Sequence, residues 1–244
     1  FRRVLFRSNI AQVTSLAVAE SPGDVYNPLF IYGGVGLGKT HLIQSIGNFV
    51  LKNNPSAKVL YTTSESFTNE VIDLLRKKKT NQEEIIEFRK KYRSVDVLLI
   101  DDIQFISGRD RTQEEIFNIF NDLFMKHKQI VLTSDKKPKD MEGIAERLIS
   151  RFEQGLTVDI QNPDYETRMA ILKKKAETSG YNIDEGVLQY IANHFVSNVR
   201  ELEGSLTRVI TFSKISHSPI TVDFAAGVLQ ELVAEIGRAS CRER

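Results

Sequence analysis

The sequence predicts an α/β fold in which a parallel five-stranded sheet is flanked by helices and a small all-helical part follows. Short apolar segments alternate with stretches of helical periodicity from residue 9 onward, which is typical of a parallel sheet covered on both faces. A glycine-rich loop follows the first apolar segment, and the strand-like segments stop at Pro163. The remainder has helical periodicity, so we expect two parts of different architecture.

Five segments have the short, mostly apolar composition of strands that are buried on both faces of a sheet. They are residues 29–32, 58–62, 95–100, 129–133 and 156–160. One stretch between them carries apolar side chains at helical spacing, and we interpret this stripe as a face packed on the sheet. Its members are Ile116, Phe117, Phe120, Leu123 and Phe124.

Four helices are predicted after the sheet. They cover residues 165–179, 185–196, 199–213 and 222–233. Gly180 and Asp184 stand where a helix end favours glycine and a helix start favours aspartate. We therefore expect a sheet-containing subdomain over residues 9–162 and a helical subdomain over residues 163–234.

The two ends of the chain differ from the rest. Residues 1–8 and 235–244 resemble translated sequencing adapters, and we interpret them as an artefactual leader and tail. The alternatives for the leader are a basic targeting arm and a first strand.

The charge balance changes when the two ends are left out. Both ends together hold six of the 33 Lys and Arg and two of the 32 Asp and Glu, which leaves 27 basic and 30 acidic residues. Any contact with nucleic acid must therefore use local basic patches.

Composition narrows the class of protein. Hydrophobic residues make up 41% and charged residues 27% of the chain, and no apolar run approaches the ~20 residues of a membrane span. The single cysteine, Cys241, lies in the discounted tail, so disulfides and thiolate metal sites are excluded from the rest. We expect a cytoplasmic protein without a membrane span.

The strongest motif is a G-x-x-x-x-G-K-T loop between a predicted strand and a predicted helix. It consists of Gly33, Gly34, Val35, Gly36, Leu37, Gly38, Lys39 and Thr40. Glycines let such a loop wrap around phosphates, so that backbone N–H groups and a helix N-terminus face the anion. Lys39 is expected to contact the β- and γ-phosphates, and the Thr40 hydroxyl is expected to bind Mg²⁺. The motif predicts a P-loop for ATP or ADP with Mg²⁺.

Paired acids end the third predicted strand. Asp101 and Asp102 follow four apolar residues, and ligands of α/β proteins bind at the carboxyl ends of parallel strands. Asp101 is expected to hold a Mg²⁺-bound water, and Asp102 to orient or activate the attacking water. Acids commonly end strands, but about sixty residues after a P-loop the pair is specific.

Three further polar sites have ordinary structural explanations. The Thr-Ser-Asp sequence that ends in Asp135 could cap a turn, but beside a P-loop we favour a phosphate-sensing role. Arg147 and Arg151 are four residues apart and share one helical face, where arginines are usually solvated or paired. Arg200 lies in a second arginine-containing segment, residues 198–204.

Four segments together resemble the DnaA family of bacterial replication initiators. They are residues 26–42, 92–105, 147–152 and 198–204. The resemblance covers essentially residues 9–234 and implies an AAA+ fold, with a RecA-like nucleotide-binding subdomain and a helical lid. In the family, a first strand and an adenine-contacting loop come before this stretch and a helix-turn-helix domain follows it. We expect these parts to be missing from this chain.

The resemblance also implies roles for single residues. Asp135 matches the family's sensor I, and Arg200 matches its sensor II arginine, which reaches the bound nucleotide. Arg151 matches the arginine finger that completes a neighbouring subunit's ATP site, and Arg147 is a second interface residue. His41 closes the matching P-loop segment and is expected beside the nucleotide.

Nucleic-acid contacts follow from the same resemblance. The predicted helices 64–79 and 82–92 resemble the insertion that distinguishes initiators and that imposes a helical filament. Ile72 matches an apolar position, and Arg109 and Arg111 match basic positions, that contact single-stranded DNA in the filament channel. Tracking of a DNA backbone by a few cations fits the near-neutral charge. A solvated charged loop remains the alternative for the two arginines.

The resemblance implies a replication initiator core that slowly hydrolyses ATP, assembles into a filament in the ATP state, and engages and unwinds origin DNA. The replicative helicase and regulatory proteins would be its further partners. The alternative is an initiator-like regulator or helicase loader, in which ATP gates binding to a protein. ATP-dependent affinity for single strands would favour the initiator, whereas turnover near ~10 per second would favour a motor ATPase.

Overall fold

The computed structural model describes residues 9–76 and 82–242, and a parallel five-stranded sheet lies at the centre of the first part of the chain. Its strands are β1 (Leu29–Gly33), β2 (Val59–Thr63), β3 (Val97–Asp101), β4 (Gln129–Ser134) and β5 (Leu156–Ile160). They are arranged in the order β2-β3-β4-β1-β5, and each neighbouring pair is parallel. The predicted fold is confirmed.

Helices connect and follow the strands. They are α1 (Asn9–Glu20), α2 (Lys39–Asn53), α3 (Ser64–Arg76), α4 (Gln82–Arg93), α5 (Asp110–Met125), α6 (Glu146–Glu153), α7 (Tyr165–Thr178), α8 (Glu185–His194), α9 (Val199–Ser216) and α10 (Val222–Arg242). Two short 3₁₀ helices, Ile103–Ile106 and Pro138–Asp140, follow β3 and β4. Helix α1 has no counterpart among the predicted helices. The inter-helix residues 77–81, where the predicted helix 64–79 ends, lie outside the described residues, as does the predicted leader.

The chain forms two compact units. Among the described residues, the first comprises residues 9–34 and Gly38–Ile160, that is, the sheet and α1 to α6. The second comprises Val35–Leu37 and residues 161–242, with α7 to α10. None of the helices in the described residues is long and apolar enough to cross a membrane.

Side-chain alternation along β3 supplies both faces of the sheet. Leu98 and Ile100 lie in one apolar cluster with Ile116 and Phe120 of α5, as the predicted stripe requires. On the other face, α2 approaches β3 so closely that a Cβ on Gly47 would come within 2.8 Å of the Leu99 side chain. Helices therefore cover both faces of β3, the strand that ends in the first of the paired acids.

An ion-pair cluster marks the amino end of the sheet. The Lys58 N–H donates to Asp96 Oδ2 and Lys128 Nζ donates to Asp96 Oδ1, both at 2.8 Å. The predicted strands 58–62 and 95–100 begin one and two residues later than expected, at Val59 and Val97. Lys58 and Asp96 lie directly before these two strands, and there the Asp96 side chain accepts the hydrogen bonds from Lys58 and Lys128.

The second unit has its own apolar core, formed by buried side chains of all four helices. These include Leu172, Val187, Ile191, Phe195, Leu202, Leu206, Val209 and Leu229. Asp184 accepts a hydrogen bond from the Gly186 N–H, and Asn198 accepts one from the Glu201 N–H, so each caps a helix start. Helix α8 ends two residues before the predicted position, whereas α10 continues to Arg242.

Candidate functional site

The carboxyl ends of β1, β3 and β4 bring the predicted site residues of the first unit together. The three strands are neighbours in the sheet around β4, and parallel strands end at one edge. Gly33 ends β1, Asp101 ends β3, and Asp135 directly follows β4. This edge is therefore where the predicted phosphate and metal ligands can meet.

The P-loop turns sharply between β1 and α2. Gly36 has φ +77° and Gly38 has φ +92°, a left-handed conformation that glycine adopts without steric cost. Helix α2 begins at Lys39, which places its N-terminal N–H groups at the end of the loop. The backbone of this segment has the form of an anion-binding cradle.

Lys39 is almost fully buried, at 6% exposure. Its Nζ donates to the Gly33 and Gly34 carbonyls at 2.8 and 2.9 Å, and to Asp135 Oδ1 at 2.6 Å. The sequence predicted both residues at the nucleotide site, and the structure joins them in one ion pair. Thr40 and His41, in the first turn of α2, are exposed.

Asp101 is buried and held by two hydroxyl groups. Thr133 Oγ1 donates to Asp101 Oδ1 in a short hydrogen bond, and the Tyr61 hydroxyl donates to Oδ2 at 3.0 Å. The same Thr133 oxygen accepts from the Asp102 N–H at 2.9 Å. Burial, followed by the Asp101 charge, raises the pKa of the Tyr61 hydroxyl, so this hydroxyl keeps its proton and remains a donor.

Asp102 has an unusual environment. Its backbone adopts the left-handed region (φ +55°, ψ +51°), and its carbonyl accepts from Ser64 Oγ at 2.5 Å. Burial raises the pKa of the Asp102 carboxyl above its usual value, and the charge of Asp101 acts in the same direction. Its Oδ1 accepts from Gln104 Nε2 at 3.4 Å. Strained backbone and a raised carboxyl pKa are both typical of functional sites.

The residues at this edge fit a nucleoside triphosphate with Mg²⁺. The loop offers backbone N–H groups and the Lys39 ammonium to phosphates, and Asp101 and Thr40 offer the hard oxygen atoms that Mg²⁺ prefers. Within the described residues, no group of three or more His, Cys, Asp or Glu is arranged to hold a metal ion alone. Mg²⁺ usually binds through one or two carboxylates together with substrate phosphates, so the phosphates of a bound nucleotide would complete its ligand set here.

The predicted interface arginines lie on α6. The Arg147 guanidinium stacks over the Phe117 ring at 4.7 Å, and Arg151 donates to Gln154 Oε1 at 2.9 Å. Arg151 lines an open groove together with Met141 and Ile144. Arg147 is exposed and Arg151 is partly exposed. Neither guanidinium lies in the cluster around Lys39.

Arg200 belongs to the second unit. It is exposed, and it is the second residue of α9, directly after the helix start that Asn198 caps. Its sensor role stays a prediction.

The predicted DNA-contacting residues lie on α3 and at the start of α5. Ile72 is partly exposed on α3, Arg109 is exposed just before α5, and Arg111 is 77% exposed, with its guanidinium 3.4 Å from Glu114. Arg109 and Arg111 are therefore available to solvent, which both the DNA-contacting and the solvated-loop interpretations require.

Comparison with known proteins identifies the family. The profile of the bacterial DnaA ATPase domain matches residues 5–159, which is more than half of the chain. The chain belongs to this family. A DnaA chromosomal replication initiator from Lachnoclostridium phytofermentans is 57% identical over 227 residues, which cover 93% of this chain and 49% of that protein. The chain thus spans about half the length of the curated relative that it matches.

Two solved DnaA structures are similar in fold. The crystal structure of domain III of Thermotoga maritima DnaA is 42% identical in sequence, with a TM-score of 0.86. The match covers 94% of this chain and 94% of that chain. A DnaA bound to AMPPCP and single-stranded DNA has a TM-score of 0.76 and 37% identity, over 88% of this chain and 66% of that chain. These comparisons confirm the sequence-based assignment to the DnaA family and its AAA+ fold.

Sequence reasoning missed three residues of the candidate site. Tyr61, Ser64 and Gln104 all contact the paired acids or their backbone. Tyr61 lies on β2, on the same face as Thr63, which is in register with Asp101. Its alternation along the strand could have indicated the contact. The positions of Ser64 and Gln104 depend on how α3 and a 3₁₀ helix pack, which no motif encodes.

Proposed function

We propose that this chain is the ATP-switched core of a bacterial replication initiator. It binds ATP with Mg²⁺, hydrolyses it slowly, and in the ATP state assembles with further copies to engage and open origin DNA. The supporting observation is the convergence of the P-loop lysine, the paired acids and Asp135 at one sheet edge of a DnaA-family chain. Because DNA is its partner, the proposed location is the cytoplasm.

Nucleotide binding is assigned to the P-loop and the start of α2. The backbone N–H groups of Gly34 to Thr40 would face the phosphates, with His41 beside them. Lys39 would turn from Asp135 towards the β- and γ-phosphates, and Mg²⁺ would be held by Thr40 and, through water, by Asp101. AMPPCP in a relative of similar fold supports this assignment, and ADP would occupy the same site after hydrolysis.

Hydrolysis is assigned to the residues around the γ-phosphate position. Bound Mg²⁺ would supply charge neutralisation at the phosphates. Asp102 would orient the attacking water, because its carboxylate stands at the strand end beside Asp101 and close to Asp135. Asp135 would respond to the γ-phosphate through Lys39, its ion-pair partner.

The response of the chain to bound ATP is assigned to three arginines. Arg151 would reach the γ-phosphate in the site of a neighbouring copy, with Arg147 beside it on the interface. The open groove that Arg151 lines offers space for such a neighbour. Arg200 of the helical unit would report the state of the bound nucleotide within one copy.

DNA contact is assigned to Ile72, Arg109 and Arg111. Two exposed cations at the start of α5 suit a backbone that carries one negative charge per nucleotide. The single-stranded DNA in a relative of similar fold supports this assignment. The replicative helicase and regulatory proteins are proposed as later partners of the assembled state.

The assembly step can be tested with Arg151→Ala. We expect the unaltered chain to form oligomers with ATP but not with ADP, measured by sedimentation velocity. The variant should bind ATP normally and associate at least about tenfold more weakly, because a charge-assisted hydrogen bond contributes ~1.5–3 kcal/mol. Lys126→Ala is the matched control, since it removes one exposed positive charge at the end of α5.

Two outcomes would contradict the proposal. If Arg151→Ala assembles with ATP as well as the unaltered chain does, the finger assignment is wrong. If the unaltered chain binds ATP but gains no affinity for a single-stranded oligonucleotide, a helicase loader or regulator becomes the better interpretation.

A further inference from the structure

Gln104 stands between two carboxylates of the proposed nucleotide site. It lies in the 3₁₀ helix Ile103–Ile106 that follows the paired acids. Its Nε2 donates to Asp135 Oδ2 at 3.1 Å and to Asp102 Oδ1 at 3.4 Å. One amide nitrogen thus bridges a residue that follows β3 and a residue that follows β4.

The orientation of the Gln104 amide follows from its neighbours. Ionised carboxylates only accept hydrogen bonds, so the amide nitrogen must face Asp102 and Asp135. The opposite orientation would direct the amide oxygen at two negatively charged groups. In the orientation adopted, Oε1 is buried and, within the part of the chain that the structure describes, has no hydrogen-bond partner.

That unpaired oxygen argues against a purely structural role for Gln104. Most buried side-chain polar atoms in folded proteins have a partner. A glutamine that served only to stabilise the fold would be expected to use both ends of its amide. Gln104 instead uses only its donor end, and it does so on two carboxylates of the site.

The charge balance explains why a neutral donor suits this position. Asp101, Asp102 and Asp135 converge here, and Lys39 is paired with Asp135. When Lys39 contacts phosphates, Asp135 loses its cation, and Gln104 remains as its hydrogen-bond donor. A second cation at this position would compete with Lys39 for Asp135, whereas an amide holds the carboxylates without adding charge.

We propose that Gln104 is a positioning residue for ATP hydrolysis, which holds the Asp102 and Asp135 carboxylates at a fixed separation while Lys39 changes partners. This inference rests on the proposed ATPase function. Gln104 would act on the chemical step through Asp102. Nucleotide binding would depend on it far less, because Gln104 is bonded to the two carboxylates and lies outside the P-loop.

The test separates the Gln104 donor from the space that the side chain fills. Gln104→Met keeps the length of the side chain but cannot donate. We expect its single-turnover ATP hydrolysis rate to fall by roughly 10²-fold, the effect of a misplacement of about 1 Å in a catalytic group. Its equilibrium affinity for ATP and ADP should stay near that of the unaltered chain.

Two further variants complete the experiment. Ser107→Ala removes a hydrogen bond to the Glu142 carbonyl at the end of the same 3₁₀ helix without touching the carboxylates, and it should hydrolyse ATP normally. Gln104→Glu keeps the shape but places a third acceptor against Asp102 and Asp135, so it should lose hydrolysis at least as strongly as the Met variant. It also provides a second result if Gln104→Met folds poorly.

The outcomes distinguish the inference from the proposed function. If the unaltered chain neither binds nor hydrolyses ATP, the proposed function fails. If the unaltered chain hydrolyses ATP and Gln104→Met does so equally fast, the function stands and the positioning role is wrong. Loss of ATP affinity in Gln104→Met to the same degree as loss of hydrolysis would also overturn the role, because it would indicate a binding residue.

Discussion

Each end of the sheet carries a lysine–aspartate pair, and the two pairs differ in burial. At the amino end, Lys128 Nζ lies 2.8 Å from Asp96, and both side chains are nearly 40% exposed. At the carboxyl end, Lys39 Nζ lies 2.6 Å from Asp135, with Lys39 only 6% and Asp135 33% exposed. The two pairs therefore differ mainly in the lysine, which is exposed at the amino end and buried at the carboxyl end.

At the amino end, both oxygen atoms of the Asp96 carboxylate accept a hydrogen bond. The hydrogen bond from Lys128, followed by the bond from the Lys58 N–H, lowers the pKa of the Asp96 carboxyl below its usual value. Both carboxylate oxygens have donors, and the cluster joins the starts of β2, β3 and β4. Such a pair stabilises the folded state modestly, because solvent screens it.

At the carboxyl end, the Lys39–Asp135 pair lies near two further carboxylates, so negative charge exceeds positive charge. Lys39 is paired with Asp135, and the charges of Asp101 and Asp135 both act on Asp102. Burial raises the pKa of the Asp102 carboxyl in spite of the donor Gln104. The left-handed backbone of Asp102 adds strain. The contrast between the two ends shows that the geometry of an Asp–Lys pair alone does not indicate function. An excess of carboxylates beside a buried lysine, with one carboxyl pKa raised, is the better sign of a functional site.

We expect the strongest effect from a substitution of Asp102. Asp102→Asn should reduce single-turnover ATP hydrolysis by about 10²- to 10⁴-fold, the usual contribution of a group that handles the attacking water's proton. ATP affinity should be kept, because the P-loop is unchanged. Thermal stability should not fall, because the substitution removes one of three converging carboxylates. A variant that hydrolyses ATP at the unaltered rate would show that Asp102 has no part in the chemistry.

Lys39 offers the next largest effect. Lys39→Met should weaken ATP binding by roughly 10- to 10²-fold, because hydrogen bonds to charged groups contribute ~1.5–3 kcal/mol. Titration with a fluorescent ATP analogue would measure the change. Lys128→Met is the matched control, since it breaks the other Lys–Asp pair. Equal loss of ATP affinity in both variants would mean that the two ends of the sheet do not differ in function.

The sequence predicted most of the fold and the main parts of the candidate site. Five strands lie within two residues of the expected positions, because each is a short apolar segment bounded by polar residues. The P-loop and paired acids were found from spacing. Helix α1 was missed, and Tyr61 and Gln104 were missed as site residues. The alternation along β2 could have indicated Tyr61, because Thr63 on the same face is in register with Asp101. The position of Gln104 depends on a 3₁₀ helix, which leaves no periodic pattern in the sequence.

The smallest expected effect lies at the amino end of the sheet. Asp96→Asn keeps an acceptor for the Lys58 N–H but loses the charge that Lys128 contacts, so we expect a loss of about 0.2–1 kcal/mol in the free energy of unfolding at neutral pH. A carboxyl whose pKa is lowered by folding stabilises the folded state above its unfolded pKa of about 3.9 and loses this contribution as pH falls through the folded pKa. The difference in Tm between the variant and the unaltered chain should therefore shrink on acidification below that value.

Salt provides a second test of the same pair. Because the pair is exposed, 1 M salt should also reduce the difference in Tm at neutral pH. A difference in Tm that is independent of both pH and salt would show that Asp96 acts through hydrogen bonds alone, and the contrast between the two ends would then rest on the carboxyl end only.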